Sequence, residues 1–349
     1  MLWDGQLWQL TTLEAWKMWI ETVIYWAGWI NSPAWQVAKI LDSDWYTHNS
    51  PQINQLISLK PEVISIEWEN IPIELLRELE SKWMNIKPNI EMIETISEKR
   101  TEKELLVNIW QNTTQFVFIN SIDDLIKVFN DLWKWIIKTP NWYDWKWQIF
   151  INSIDDIKKL KDSDIWENFI YEKLVDFKTE ISVIVWRRKN WEIVVFEPIE
   201  NKHEKWILIN SISLANIDEE IKEKAKKIAI QITEILAIEW ILAVEMFVLN
   251  DWTILINELA PRPHNSWHLT IEWYNQSQYA IFIKAILDLP FWELRLINKT
   301  RMMNLLWNCN NKIPTNSHKI IQKWNFTLYN YWKKEIKPWR KMWHITKVY

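Results

Sequence analysis

Asn257-Glu258-Leu259-Ala260-Pro261-Arg262-Pro263-His264-Asn265-Ser266-Trp267-His268 sets a carboxylate, an arginine, two histidines and two amides within twelve consecutive positions. The stretch follows residues 253–257, an apolar run that pairs with residues 241–249 around Asn250-Asp251-Trp252. Such a hairpin predicts Glu245 and Glu258 side by side on adjacent strands. Hard cations prefer oxygen ligands shared with a nucleotide, so two carboxylates facing a polyphosphate form a Mg²⁺ site. A surface salt-bridge network would use the same charges, and the residues alone leave both open.

Outward from this hairpin the chain alternates strand and helix, which predicts an α/β architecture with parallel sheets. Residues 63–66 read as a strand running into Glu67-Trp68-Glu69-Asn70, and Pro72 opens a helix with Leu75, Leu76 and Leu79 on one face. Residues 136–138 form a strand that leads into a loop over 139–148. Residues 181–185 and 192–196 pair across Arg187-Arg188-Lys189-Asn190-Trp191. The clearest helical period spans 219–238, through Ile221, Ala225, Ile228, Ala229, Ile232, Ile235 and Leu236. The charged run Ser97-Glu98-Lys99-Arg100-Thr101-Glu102-Lys103 separates a first α/β unit, residues 1–96, from a middle unit, 97–292; a small β-rich unit, 293–349, follows.

At 349 residues, 48% hydrophobic, 25% charged and net charge −4, the composition is that of a soluble globular chain rather than a disordered or fibrous one. No apolar run approaches the roughly 18 residues of a membrane span. Mild acidity gives no reason to expect nucleic acid. A single cysteine, Cys309, excludes an intramolecular disulfide framework, and with no signal peptide legible at the start a cytoplasmic location is expected. The anomaly is 30 Trp against 2 Gly, where ordinary usage gives about 7% Gly. UGA is read as stop, Trp or Gly in different genetic codes. Most Trp are therefore expected to stand where the native chain has Gly, with Gly5 and Gly28 encoded by GGN.

Lys138-Thr139-Pro140-Asn141-Trp142-Tyr143-Asp144-Trp145-Lys146-Trp147-Gln148 carries three Trp within six positions. With Gly restored it reads K-T-P-N-G-Y-D-G-K-G-Q, in which glycines bring backbone N–H groups against a phosphate and lysine supplies charge; the alternative is a solvated turn. Glu172-Lys173-Leu174-Val175 lies eight residues before Glu180. An edge strand ending in a carboxylate suits an adenine amine or ribose hydroxyl, although ordinary strand patterning gives the same spacing. Lys333, Lys337, Arg340, Lys341 and His344 form a basic cluster, either a phosphate site or a solvated face.

Together these segments resemble the 5-(carboxyamino)imidazole ribonucleotide synthase family of ATP-grasp carboxylases. Residues 257–270, N-E-L-A-P-R-P-H-N-S-W-H-L-T, depart from the family pattern only at Trp267, where the family has Gly. Y-D-W-K-W-Q (143–148), D-G-Q-L-W-Q-L (4–10), S-P-A-W-Q-V-A (32–38), E-W-E-N-I-P (67–72), M-N-L-L-W (303–307) and K-P-W-R-K-M-W-H-I-T (337–346) match as well, so the resemblance spans essentially the whole chain. Trp68 is the exception, because the family has a bulky aromatic there; it is expected to be a true Trp. Residues 138–143 are one position shorter than the family's spacing. The strand before the first loop is almost absent, and the chain ends soon after H-I-T, where the family usually continues.

The resemblance implies an N-terminal Rossmann-like domain, a central α+β ATP-grasp domain and a small C-terminal β-rich domain. It implies ATP-dependent carboxylation of 5-aminoimidazole ribonucleotide with bicarbonate, giving ADP and phosphate through carboxyphosphate, and a homodimer. ATP would contact Lys99, Lys138, Trp142, Tyr143, Asp144, Trp145, Lys146, Trp147, Gln148, Glu172, Lys173, Leu174, Val175, Glu180, His203, Asn257 and Glu258. Glu245 and Glu258 would hold Mg²⁺ or Mn²⁺. The ribonucleotide and carboxyphosphate would meet Gln6, Leu7, Glu69, Asn265, Ser266, Lys333 and Arg340. Asp144, Arg262, His264 and Lys341 would be catalytic, with Asp144 and His264 handling protons or orienting the amine. One rival is another ATP-grasp ligase, such as formate-dependent glycinamide ribonucleotide transformylase or biotin carboxylase, which P-R-P-H-N-S-x-H disfavours. The other is a non-catalytic nucleotide-binding homologue in which Trp142, Trp145 and Trp147 fill the triphosphate site and Trp267 crowds the substrate; the retained charged and amide residues disfavour it.

Overall fold

The computed structural model describes residues 1–3, 5–25, 32–41, 50–132, 135–138, 148–161, 169–204, 206–307, 326–333 and 338–349. At the N-terminus, α1 (Gln6–Lys17) is followed by β1 (Val23–Tyr25) and β2 (Lys39–Leu41), which pair in parallel. Leu2 bridges Tyr25 on one side and Ile66 on the other, and Ile64 bridges Ile86, all in parallel. Leu2 thus lies between Tyr25 and Ile66 in this parallel layer, and the strand expected at 63–66 is reduced to two bridges. α2 (Pro51–Ser58), α3 (Ile73–Ser81) and α4 (Ile90–Ser97) share with this layer a core that includes Ile53, Leu56, Leu75, Leu76, Leu79 and Ile93.

The charged run at 97–103 enters α5 (Lys99–Asn108), whose Lys99, Glu102, Lys103 and Leu106 are buried. Their i, i+3, i+4, i+7 spacing marks one helix face, here turned inward although three of its members are charged.

Next come β3 (Phe116–Ile119), α6 (Ile122–Leu132), β4 (Trp135–Lys138), β5 (Gln148–Ile151), α7 (Ile154–Ile157) and β6 (Phe169–Lys173). The four strands run β3-β6-β4-β5, antiparallel throughout, around Ile119, Leu125, Ile137 and Phe169.

The remaining elements are β7 (Phe177–Arg187), β8 (Ile193–Val195), β9 (Ile199–Glu204), β10 (Ile207–Ile212), α8 (Glu219–Ile235), β11 (Ile241–Leu249), β12 (Ile254–Ala260), α9 (Thr270–Trp273), α10 (Gln278–Ile286), β13 (Thr300–Leu306), β14 (Phe326–Asn330) and β15 (Lys341–Val348). Among the described residues nine strands form one antiparallel sheet, β12-β11-β7-β9-β10-β13-β15-β14, with β8 also on β7. Among the described residues the expectation of parallel sheets therefore holds only for the N-terminal layer. Antiparallel neighbours such as β11 and β12 need only a tight turn, whereas parallel ones need a long crossover. β13 to β15 extend the large sheet from β10. Ala225, Ala229 and Ile232 of α8 pack in the core with Val183 and Val185 of β7. Among the described residues no helix is long and apolar enough to cross a membrane.

Candidate active site

Glu245 of β11 and Glu258 of β12 are cross-strand partners, as the hairpin predicts. The chain leaving β12 returns His264 to them, its Nε2 3.2 Å from Glu245 Oε1. Ligand atoms of Glu245, Glu258 and His264 all lie within 4.8 Å of one another. Burial first, then Glu258 and Glu180, raises Glu245 well above the usual carboxylate range. Burial pushes Glu258 the same way, but Lys99, its Nζ 2.8 Å distant, more than offsets this and holds Glu258 at about 2. A buried and a half-buried carboxylate that repel until a cation joins them fit Mg²⁺ or Mn²⁺.

His264 is brought down to about 3 by burial and then by Arg262, so it is neutral at pH 7. The Ser266 N–H donates to its Nδ1 at 3.4 Å, and Ser266 Oγ lies 2.7 Å from the same nitrogen. The ring proton then sits on Nε2, toward Glu245. Gln278 of α10 accepts from the His264 N–H and donates to its carbonyl, both at 2.8 Å.

On one side of this centre Lys103 donates to Thr113 Oγ1 (2.7 Å) and to the Asn257 carbonyl (3.1 Å), and pairs with Glu172 at 2.9 Å. Lys138 pairs with the other Glu172 oxygen at 2.5 Å. Burial opposes the Glu172 charge, yet Lys103 and Lys138 hold it at about 2. His203 Nδ1 lies 3.0 Å from Glu180. Lys173, the last residue of β6, and Leu174 are exposed, and Val175 is half-buried.

On the other side Arg262 Nε donates to Glu69 at 2.8 Å, and Gln6 Nε2 donates to Asn265 Oδ1 at 2.6 Å. Lys333 Nζ donates to Gln6 Oε1 (2.6 Å) and to the Lys341 carbonyl (2.8 Å). Burial first, then Arg340 and Lys341, lowers Lys333 to about 7.

Leu7 packs its side chain with Leu10, Tyr279 and Tyr331, and its N–H donates to Glu67 at 2.9 Å. Ser266 is fully buried, where its role is to orient His264. Trp267, expected to crowd the substrate in a non-catalytic homologue, is instead fully buried, donating from Nε1 to Ser182 Oγ at 2.9 Å and stacking on Trp273. His344 does not belong with the basic cluster: it is fully buried, and burial depresses it to about 3. Trp142, Tyr143, Asp144, Trp145, Lys146, Trp147 and Lys337 lie outside the described residues, and Gln148 begins β5.

The sequence reading missed Lys103, Glu102, Gln278 and Glu67. Glu102 accepts from the Leu259 N–H and pairs with Lys99 at 3.0 Å. Glu67 accepts from the N–H groups of Gly5 and Leu7 at the start of α1. A Cβ at position 5 would come within 2.2 Å of Glu67 Oε1, so a side chain there would displace the carboxylate from the Gly5 and Leu7 N–H groups. The α5 spacing was the signal that could have found Lys103 and Glu102.

Residues 104–279 match the ATP-grasp domain family. Over 318 residues the chain is 31% identical to N5-carboxyaminoimidazole ribonucleotide synthase of Bacillus subtilis (strain 168), covering 90% of this chain and 82% of that one. It is similar in fold to Staphylococcus aureus N5-carboxyaminoimidazole synthetase complexed with ADP, with TM-score 0.88, 30% identity and coverage of 100% of this chain and 92% of that one. The Aspergillus clavatus synthase in complex with ADP and 5-aminoimidazole ribonucleotide gives TM-score 0.90 and 27% identity at the same coverage. Fold and site define an ATP-dependent ligase of the ATP-grasp class. The chain belongs to the N5-carboxyaminoimidazole ribonucleotide synthase family.

Proposed function

We propose that the chain couples ATP cleavage to carboxylation of 5-aminoimidazole ribonucleotide by bicarbonate, through carboxyphosphate. ATP-dependent carboxylation of that ribonucleotide, a step of purine synthesis, is the reaction its family membership gives it. A bicarbonate oxygen attacks the γ-phosphorus, the bond to the β-phosphate oxygen breaks, and ADP leaves. The exocyclic amine of the ribonucleotide then attacks the carboxyl carbon, directly or as freed CO₂. The C–O bond to phosphate breaks, inorganic phosphate departs, and the amine gives up a proton. Most of the barrier is charge and positioning.

On this reading ATP lies against Lys99, Lys138, Glu172, Glu180, His203 and Asn257. Glu245 and Glu258 hold Mg²⁺ or Mn²⁺, which when bound neutralises phosphate charge. Arg262, braced by Glu69, lies toward the ribonucleotide with Gln6, Asn265, Lys333, Arg340 and Lys341. Neutral His264, clamped by Gln278, orients the amine, and Asp144 takes its proton. A cytoplasmic homodimer belongs to the same reading.

The observation that carries it is continuity: residues 257–265 run unbroken from Glu258 beside Lys99 to Asn265 on Gln6. The test is ADP release measured against bicarbonate and ribonucleotide. Bicarbonate-dependent hydrolysis stimulated by 5-aminoimidazole ribonucleotide is expected, and absence of that stimulation refutes the assignment.

We further propose that most Trp here are glycine in the protein as its cell makes it. Among the described residues thirteen non-glycine positions have positive φ, and nine of them are Trp: Trp3, Trp19, Trp83, Trp110, Trp191, Trp206, Trp252, Trp332 and Trp339. Trp191 and Trp252 occupy hairpin turns, and Trp19, Trp83 and Trp110 follow α1, α3 and α5, where a helix ordinarily ends on glycine. Trp68 is not among them. Peptide mass spectrometry of the native protein decides the matter, and Trp found at these positions would falsify the proposal.

A further inference from the structure

Behind the Lys333 side of the site lies a buried aromatic joint that the reaction above does not use. His268 is fully buried, and its Nδ1 shares a hydrogen bond with Tyr279 Oη of α10. Its ring stacks on His344 of β15, centroids 4.5 Å apart at 17°. Tyr329 of β14 stacks on the same imidazole at 4.4 Å and 7°, so His344 is held between two near-parallel rings. Tyr331 Oη lies 2.7 Å from His344 Nδ1. Burial depresses both histidines, which are therefore neutral and stack without charge repulsion. Tyr331 and Tyr279 also pack with Leu7 and Leu10 of α1.

The joint thus ties α1, α10, the turn after β12 and the β14–β15 pair together. Lys333 stands two residues beyond Tyr331, and Lys341 three residues before His344 on the same strand. Lys333 Nζ in turn holds Gln6, the first residue of α1, and the Lys341 carbonyl. A shift of β15 against α1 would draw the Lys341 carbonyl away from Gln6 and pull Lys333, bonded to both, out of place, and the His268–His344 stack together with the Tyr331 hydroxyl opposes that shift.

We infer that His268, Tyr279, Tyr331 and His344 are positioning residues that set Lys333 between Gln6 and the Lys341 carbonyl and so tune recognition of the ribonucleotide's phosphate without touching ATP. The inference rests on the assignment of Lys333 and Lys341 to the ribonucleotide. Steady-state kinetics of Tyr331→Phe, which loses only a hydroxyl, and of His344→Phe, which keeps a stacking ring, tests it, with Lys333→Ala alongside. Both joint variants are expected to raise KM for the ribonucleotide about tenfold while KM for ATP and kcat stay within about twofold. An unchanged ribonucleotide KM in Tyr331→Phe and His344→Phe, with that of Lys333→Ala raised, overturns the joint. KM values for both substrates rising together overturn it too. An unchanged ribonucleotide KM in Lys333→Ala itself overturns the underlying assignment, and the joint with it.

Discussion

Replacing Trp19, Trp83 and Trp110 with glycine is expected to stabilise the fold, the reverse of the usual result of deleting an indole. The three residues sit at φ 58°, 62° and 58°. They are 97%, 93% and 93% exposed, so almost no packing is lost with the ring. The turns themselves survive, because their bonds are backbone ones: the N–H of Ile20 donates to the Ala15 carbonyl at 3.0 Å, Met84 to Leu79 at 3.2 Å and Gln111 to Leu106 at 2.9 Å. An L-residue in the left-handed region costs roughly 1–2 kcal/mol. Glycine's greater freedom in the unfolded chain cancels about 0.5–1 kcal/mol of the relief. The net gain is about 0.5–1 kcal/mol per site, roughly 2 kcal/mol over three separate helix ends. Urea unfolding followed by far-ultraviolet circular dichroism measures it, as a higher midpoint at unchanged slope. Trp68→Gly is the control: that residue lacks a positive φ and its ring lies 5.0 Å from Trp3, so about 1–3 kcal/mol should be lost. A triple-variant midpoint that falls or does not move, or a Trp68→Gly midpoint that rises with it, would refute the strain argument.

Lys333, lowered to about 7, loses its charge in the free protein as pH rises through neutrality, so KM for the ribonucleotide should climb above pH 7 toward about tenfold per unit; Lys333→Arg should abolish the break in a pH–KM profile. The same residue makes stability rise with pH between about 7 and its ordinary 10.5, because over that range the unfolded chain binds the extra proton; Lys333→Met should flatten that part of a pH–stability curve. Lys103→Met leaves buried Glu172 with Lys138 but without its second lysine and should cost about 3 kcal/mol by chemical denaturation, with Lys103→Met/Glu172→Gln recovering much of it. Glu258→Gln removes one of two carboxylates that face each other across the hairpin, and the Mg²⁺ concentration for half-maximal ADP release should rise at least about tenfold.

Where a signal is local, the sequence carried it. The β11–β12 hairpin, the Glu245–Glu258 pairing, α8 and the turn at Trp191 all follow from periodicity and turn position, and the structure has them. Sheet direction is not local, and strand–helix alternation suggested parallel ladders, whereas among the described residues the one parallel strand pair is β1–β2 and the two larger sheets are antiparallel. Burial of polar groups is not local either. Lys103 reads as one more charge in a charged run, and only Thr113, Glu172 and the Asn257 carbonyl, brought in by the fold, make an interior position tolerable for it. His344 misled for the same reason: beside Arg340 and Lys341 it looks like surface charge, yet the strand turns it inward between Tyr329 and His268.

Carboxyphosphate is short-lived, so a protein that makes it must make it within reach of the amine that consumes it, and the two subsites must share a wall of fixed shape. In the proposed reaction that wall is residues 257–265. It is braced at Glu258 by Lys99 of α5, at Arg262 by Glu69, and at Asn265 by Gln6 of α1. Those partners lie 159, 193 and 259 positions away in the chain. Pro261 and Pro263 restrict the backbone on either side of Arg262. Gln278 holds both backbone groups of His264. A segment fixed at so many points by separate elements cannot move its nucleotide end without moving its substrate end. In the proposed reaction this rigid stretch keeps the two subsites in register while ATP is cleaved and the amine is carboxylated. For that reason the motif is easy to read in sequence while its braces are not: Glu258, Arg262 and Asn265 are neighbours in the chain, and Lys99, Glu69 and Gln6, which hold them, are 159 or more positions away.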